Sequence, residues 1–193
     1  MRTITDRYTM KIIGIATTPR KGGNSQALVE HVLAGAEKAG AKTEFVRITK
    51  LEIKPCLGCG ACKHEDGCVQ KDDFKGLVKK LEKADVVVLG SPMYWGRLNA
   101  QAYPLIDRFY SLLKPDFTTD FPKGKKIVFA MTSDGMGAEA IEPVNTYVKH
   151  VFSFLGFEDA GLIWQNQCFR PEDLDNYPDK IKEAEELGAG LVK

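Results

Sequence analysis

Residues 11–25 read KIIGIATTPRKGGNS: a short run of Ile, Gly and Ala, a loop of hydroxyls, cations and glycines, then the start of a segment with helical period. Apolar side chains on both faces of Lys11 to Ala16 predict a strand covered on both sides. From Ser25 to Ala39, the residues Ala27, Leu28, His31, Val32, Gly35 and Ala36 form a small apolar stripe. This predicts a helix, capped by Asn24 and ended by Gly40. The same alternation continues along the chain. Strands are expected at Thr43–Ile48, Asp85–Leu89, Ile127–Met131 and Ala160–Trp164, and helices near 72–83, 99–113, 137–155 and 178–190. Pro104 and Pro143 fall inside two of these helices and should kink or delay them. Five strand–helix units of this kind predict an α/β fold with a doubly wound parallel sheet.

The 193 residues and a 44% hydrophobic content suit one domain with a full core, with no need of disulfide or metal staples. Lys and Arg number 27 against 26 Asp and Glu, a formal charge of +1. No long run of one sign marks a nucleic-acid or membrane surface. The N-terminal MRTITDRYTM has no apolar h-region, and runs such as ADVVVLG are far too short to span a bilayer. A soluble, cytoplasmic protein is expected, and in a reducing compartment clustered cysteines are more often metal or redox groups than disulfides.

A doubly wound sheet binds ligands at the carboxyl ends of its strands, so three loops command interest. The first, TTPRKGGNS (17–25), matches neither a dinucleotide fingerprint nor a nucleoside triphosphate loop. Its Thr17, Thr18 and Ser25 hydroxyls, the Arg20 cation, and Gly22, Gly23 and Asn24 before a helix N-terminus nonetheless suit one phosphate monoester. An ordinary capped turn is the plainer alternative. The second, GSPMYWGRLNA (90–100), offers Pro92, Met93, Tyr94, Trp95 and Gly96, large side chains able to flank an isoalloxazine ring or simply to pack between helices or subunits. The third, TSDGMGA (132–138), brings Thr132, Ser133, Gly135 and Gly137, with glycines that let backbone approach a ligand edge. A phosphate cradle, a ring slot and polar backbone on one rim together favour FMN.

The loops TTPRKGGNS and SPMYWGRLNAQAYPLIDR resemble those of the flavodoxin-like NADPH-dependent FMN reductase superfamily, over roughly residues 10–155. The resemblance implies a five-stranded sheet of order 2-1-3-4-5, bound FMN and a homodimer or homotetramer. It implies phosphate binding by Thr17, Arg20, Asn24 and Ser25, and ring binding by Pro92 to Gly96 with the loop around Ser133. Thr17, Thr18 and Pro19 stand where many relatives have Ser-Gly-Ser or Gly-Ser-Pro, and Ala102-Tyr103-Pro104 replaces a commoner helical sequence. Met10 begins a segment like a usual family N-terminus, leaving residues 1–9 as an extension.

Four of the five cysteines stand in CLGCGACKHEDGC (56–68), spaced C-x2-C-x2-C-x5-C, after the second strand. Disulfides between cysteines three apart are strained. Structural zinc usually separates two C-x2-C knuckles by a longer stretch. Free or regulatory thiols are a further reading. Two successive C-x2-C steps with Gly58 and Gly60 in the turns, closed by Cys68, fit a 4Fe-4S cubane best. Continued to CVQKDDF, the motif resembles the compact cysteine motif of iron-sulfur flavoproteins, a branch of the same superfamily found mainly in anaerobes. That resemblance implies Cys56, Cys59, Cys62 and Cys68 as ligands of a 4Fe-4S cluster near FMN, often that of a neighbouring subunit. His64 reads as a solvated loop residue and Cys168 as a packed thiol.

The expected activity is that of an electron-transfer oxidoreductase joining a one-electron cluster to FMN, with no acid–base triad. The resemblance implies a ferredoxin-like donor and a small-molecule acceptor such as oxygen or peroxide. An NAD(P)H-dependent FMN or quinone reductase without a functional cluster, and a cysteine-based redox sensor, are the alternatives.

Overall fold

The computed structural model describes residues 8–192. Its strands are β1 (Lys11–Ala16), β2 (Lys42–Arg47), β3 (Val86–Tyr94), β4 (Arg97–Leu98), β5 (Lys126–Thr132) and β6 (Glu158–Gln165). Its α-helices are α1 (Asn24–Lys38), α2 (Phe74–Lys83), α3 (Tyr103–Arg108), α4 (Ala138–Ser153) and α5 (Pro178–Gly190). Five strands run parallel in the order β2-β1-β3-β5-β6, and β4 folds back antiparallel on the end of β3. With β4 set aside this is the 2-1-3-4-5 order implied by the resemblance, and β2 is an edge strand. Of the expected extension over residues 1–9, residues 1–7 lie outside the described residues. Tyr8 follows them and donates its hydroxyl to Asp85.

The period-2 alternation of strand side chains divides the core between the two faces of the sheet. Ile13, Ile15, Val87, Leu89, Ile127, Phe129 and Met131 pack against the face that carries α2, α3 and α4. Ile12, Val86, Val88, Val128, Ala130 and Ile163 face α1 and α5. Helix α1 sits unusually close to both neighbours. A Cβ on Gly90 would come 2.3 Å from Val29 Cγ2, and one on Gly35 would come 1.9 Å from the carbonyl oxygen of Glu185 in α5. Only glycine lets these backbones approach so far.

Three local expectations are corrected. Asn24 does not cap α1: it is the first helical residue, Gly23 precedes it in extended conformation, and no side chain caps the helix. The far end is as expected, with Gly40 at φ +99° and N–H bonds from Gly40 to Glu37 O (2.9 Å) and Ala41 to Ala36 O (3.0 Å), a Schellman closure. The third strand runs to Tyr94 and turns into β4 through Trp95 and Gly96, both at positive φ (56° and 69°), so 90–100 is largely a hairpin rather than an open loop. The single helix expected over 99–113 is three pieces: a 3₁₀ turn at Ala100–Ala102, α3, and a second 3₁₀ turn at Phe109–Leu112. Pro104 lies in the first turn of α3, where its missing N–H costs nothing, and this fixes where the α-helix begins. Pro143 lies inside α4.

Candidate functional site: two cavities on one rim

The carboxyl ends of β1, β3 and β5 surround a cleft of about 190 Å³. It brings together Thr18, Arg20, Asn24, Ser25, Pro92, Met93, Tyr94, Thr132 and Ser133, nine of the residues singled out from sequence. At its base the N-terminus of α1 carries free N–H groups with no side-chain cap. Beside them Ser25, 1% exposed, has a buried hydroxyl with no hydrogen-bond partner. A buried donor left unmade costs free energy comparable to a lost hydrogen bond, so this end of the cleft is built to receive an acceptor. The helix dipole and Arg20 favour an anion there.

The structure assigns other tasks to several expected ligands. Thr17 is fully buried and turned inward, its Oγ1 lying 2.9 Å from Gly90 O and 2.5 Å from Asn99 Oδ1. Asn99 is equally buried, donates Nδ2 to Thr17 O at 2.7 Å and accepts from the Ser91 hydroxyl at 2.8 Å. This network ties the end of β1 to the hairpin after β3. Thr17 therefore shapes the rim from behind. Asn24 donates Nδ2 to Arg170 O (2.7 Å) and accepts the Leu174 N–H at Oδ1 (3.1 Å). Arg20 donates Nη1 to Phe169 O at 3.0 Å. Trp95 and Gly96 form the turn at the rim, with Trp95 90% exposed, and Gly135 has open space around it.

The segment after β6 was missed. It contributes Cys168 and Phe169 to the cleft and is held down by the bonds to Asn24 and Arg20. The rule that led to the loops after strands one, three and four applies equally to the loop after the last strand, and QNQCFRP stands there. Burial, with the Asp173 charge adding to it, pushes the Cys168 thiol up to about 11, which keeps it a neutral, unreactive wall. Asp134, from the β5 loop, completes the lining.

The cysteine loop leaves β2 at the same rim. Its neck is closed by a reciprocal pair, Glu52 N–H to the Asp73 side-chain Oδ2 (2.7 Å) and Asp73 N–H to Glu52 O (2.9 Å), and by Lys54 N–H to Asp72 Oδ2 (3.0 Å). Lys63, between Cys62 and His64, donates Nζ to Tyr110 O (2.7 Å) and Leu113 O (2.5 Å) and sits 3.7 Å from the Tyr110 ring centroid. The loop is thus pinned at both ends and in the middle. Gly58, Gly60 and Gly67 all have positive φ, as the tight turns between cysteines require.

Within this frame Cys56, Cys59, Cys62 and Cys68 all line a single cavity of about 140 Å³. Cys56 and Cys59 are exposed and the other two half-buried. The Gly58 N–H donates to Cys56 Sγ at 3.4 Å. Among the described residues no group of three or more His, Cys, Asp or Glu is gathered tightly enough for a single ion. Arg108, from α3, reaches the same cavity and pairs with Asp72, both side chains being almost fully buried. Burial pushes the Asp72 carboxyl up, but hydrogen bonds from Arg108 and from the Lys54 and Phe74 N–H groups outweigh it and hold it below the ordinary value. Between the two cavities lies an open depression of about 390 Å³ that shares Tyr94 with the cleft and has Pro55, next to Cys56, in its wall.

Comparison with known proteins adds four findings. The sequence profile of the family described as NADPH-dependent FMN reductase matches residues 10–164. An iron-sulfur flavoprotein of Archaeoglobus fulgidus is 39% identical over 184 residues, 95% of this chain and 80% of its own. The iron-sulfur flavoprotein MJ1083 of Methanocaldococcus jannaschii is 42% identical over 99 residues, so that the match spans about half (51%) of each chain. Among solved structures, the NAD(P)H:quinone oxidoreductase of Methanothermobacter marburgensis superposes with a TM-score of 0.75 at 15% identity, covering 95% of this chain and 100% of that one. At such identity the likeness speaks for the fold.

Proposed function

The chain belongs to the NADPH-dependent FMN reductase family, and from that premise we propose that it is an FMN oxidoreductase that also holds a 4Fe-4S cluster on Cys56, Cys59, Cys62 and Cys68. The observation that carries the cluster is the single cavity lined by all four cysteines. The orphaned Ser25 hydroxyl and the uncapped N-terminus of α1 fit the phosphate of FMN. When bound, FMN supplies one- or two-electron chemistry and the cluster one-electron chemistry, so the pair matches one-electron donors to two-electron acceptors.

The chain's own residues bind, orient and shield. Thr18, Ser25, Arg20 and the first N–H groups of α1 hold the phosphate, while Asn24 and Thr17 fix the walls behind it. Pro92, Met93 and Tyr94, held by the Trp95–Gly96 turn, would give the ring an apolar seat, and Thr132, Ser133 and the backbone near Gly135 would meet its polar edge. No side chain is required as acid or base. The resemblance to iron-sulfur flavoproteins supports a ferredoxin-like donor and a small-molecule acceptor, and the family description supports NAD(P)H as an alternative donor. The exposed Leu57, Tyr94 and Trp95 around these cavities support a homodimer or homotetramer. No helix among the described residues is long and apolar enough to cross a membrane.

The test is one preparation made without oxygen. About four iron and four sulfide per chain, with one FMN, are expected. Cys59→Ser should lose most of the iron and keep the flavin. Flavin without iron or sulfide in the unaltered protein overturns the cluster. Steady NADPH oxidation by such iron-free protein leaves a plain flavin reductase.

A further inference from the structure

Arg108 is buried to 1% exposure, yet only one of its nitrogens is used. Nη1 meets Asp72 and, at 3.4 Å, the carbonyl of Lys54. Nε and Nη2 are buried without any partner. Guanidinium is all donor, and buried donors retained without an acceptor are costly. The plane of the group is set by Phe74, whose ring centroid lies 4.3 Å from Cζ. The same side chain lines the cavity of the four cysteines, whose described walls include no carboxylate. A fixed cation with two unpartnered nitrogens therefore stands at a site made of thiols, with Asp72 paired to its Nη1.

We propose that Arg108 is a positioning residue that sets the potential of the iron-sulfur group: Nε and Nη2 donate to its sulfur atoms, and the charge favours the more electron-rich state. The inference rests on the cluster reading above. Net charge and hydrogen bonds to sulfur are the means by which a protein moves such a potential. Asp72 opposes the effect in part, so the two residues act with opposite signs.

The experiment compares the unaltered chain, Arg108→Gln, Arg108→Lys and Asp72→Asn, each purified without oxygen and assayed for iron, sulfide and FMN. The cluster's midpoint potential is then measured by a redox titration followed by electron paramagnetic resonance. Arg108→Gln should shift it negative by at least a tenfold change in the reduced-to-oxidised ratio, about 59 mV for one electron. Asp72→Asn should shift it positive, and Arg108→Lys should fall between Arg108→Gln and the unaltered chain. A purely structural role loosens the loop in both Arg108→Gln and Asp72→Asn and moves both potentials in the same direction, which overturns the proposal; so do coincident potentials. If Arg108→Gln does not assemble, the sign of the Asp72→Asn shift decides alone. An iron-free unaltered protein overturns the cluster reading, and this inference with it.

Discussion

The Asp72 carboxylate closes the neck of the cysteine loop through Oδ2 and accepts the Phe74 N–H at the start of α2 through Oδ1, at 3.1 Å. Its carboxyl is held below the ordinary 3.8, so the unfolded chain takes up the proton first as pH falls. Stability from this group is therefore fully present above the unfolded value and is lost as pH drops through the folded one. At neutral pH, Asp72→Asn should cost about 3–5 kcal/mol, the scale for breaking a buried pair. Thermal unfolding of the two proteins from pH 6 to pH 2.5 should show that gap closing below about pH 3.8. A gap independent of pH would deny Asp72 its charged state. None of this was legible in sequence: Asp72 and Arg108 stand 36 residues apart, and their meeting is a matter of burial across the fold. The Thr17–Asn99 and Asn24–Leu174 bonds escaped notice for the same reason, since no local pattern links residues so far apart. The thiols were legible because their chemistry is carried by the residue type and its spacing.

Among the elements, α1 is the one whose placement matters to the cleft, and glycines set it on two sides. On Gly90 of β3 an added Cβ would also lie 2.9 Å from Ser25 O, at the N-terminal end of the helix; on Gly35 it would strike α5, at the other end. Both Gly90→Ala and Gly35→Ala should destabilise by about 1–3 kcal/mol through overpacking. Only Gly90→Ala should also weaken FMN, by roughly tenfold or about 1.4 kcal/mol, as measured by flavin fluorescence titration. Equal losses of flavin in both would mean that the helix shifts as a rigid whole. The central strands β1, β3 and β5 could be read because each is apolar on both faces. Strand β4 could not, because hairpins of its type normally turn on Asn-Gly, and Trp95-Gly96 carries no such signal.

At the scale of the whole molecule the rim is unusually apolar: Trp95 is 90% exposed, Leu57 69% and Tyr94 46%. Trp95 also holds a left-handed backbone that costs a non-glycine residue about 1–2 kcal/mol. Trp95→Asn suits such a turn, so the variant should be at least as stable by thermal unfolding yet dissociate more readily in sedimentation velocity runs. A chain that is monomeric at all concentrations with Trp95 intact would deny the rim its role in association. The parallel sheet was thus legible in the alternation of strands and helices, and several rim loops in their residue types, whereas the closing wall, Cys168 to Leu174, follows a strand of the same sheet but carries no hydroxyl, glycine or cation cluster to mark it. That wall has a consequence for synthesis. Among the described residues the cysteine cavity draws only on residues from Cys56 to Ser111 and its neck on Glu52 to Asp73, but the cleft at the ends of β1, β3 and β5 needs Phe169 and the clasp from Asn24 to Leu174. On a ribosome, which releases the chain from its N-terminus, the four cysteines of the proposed cluster site are all made before the cleft proposed for FMN has its last side.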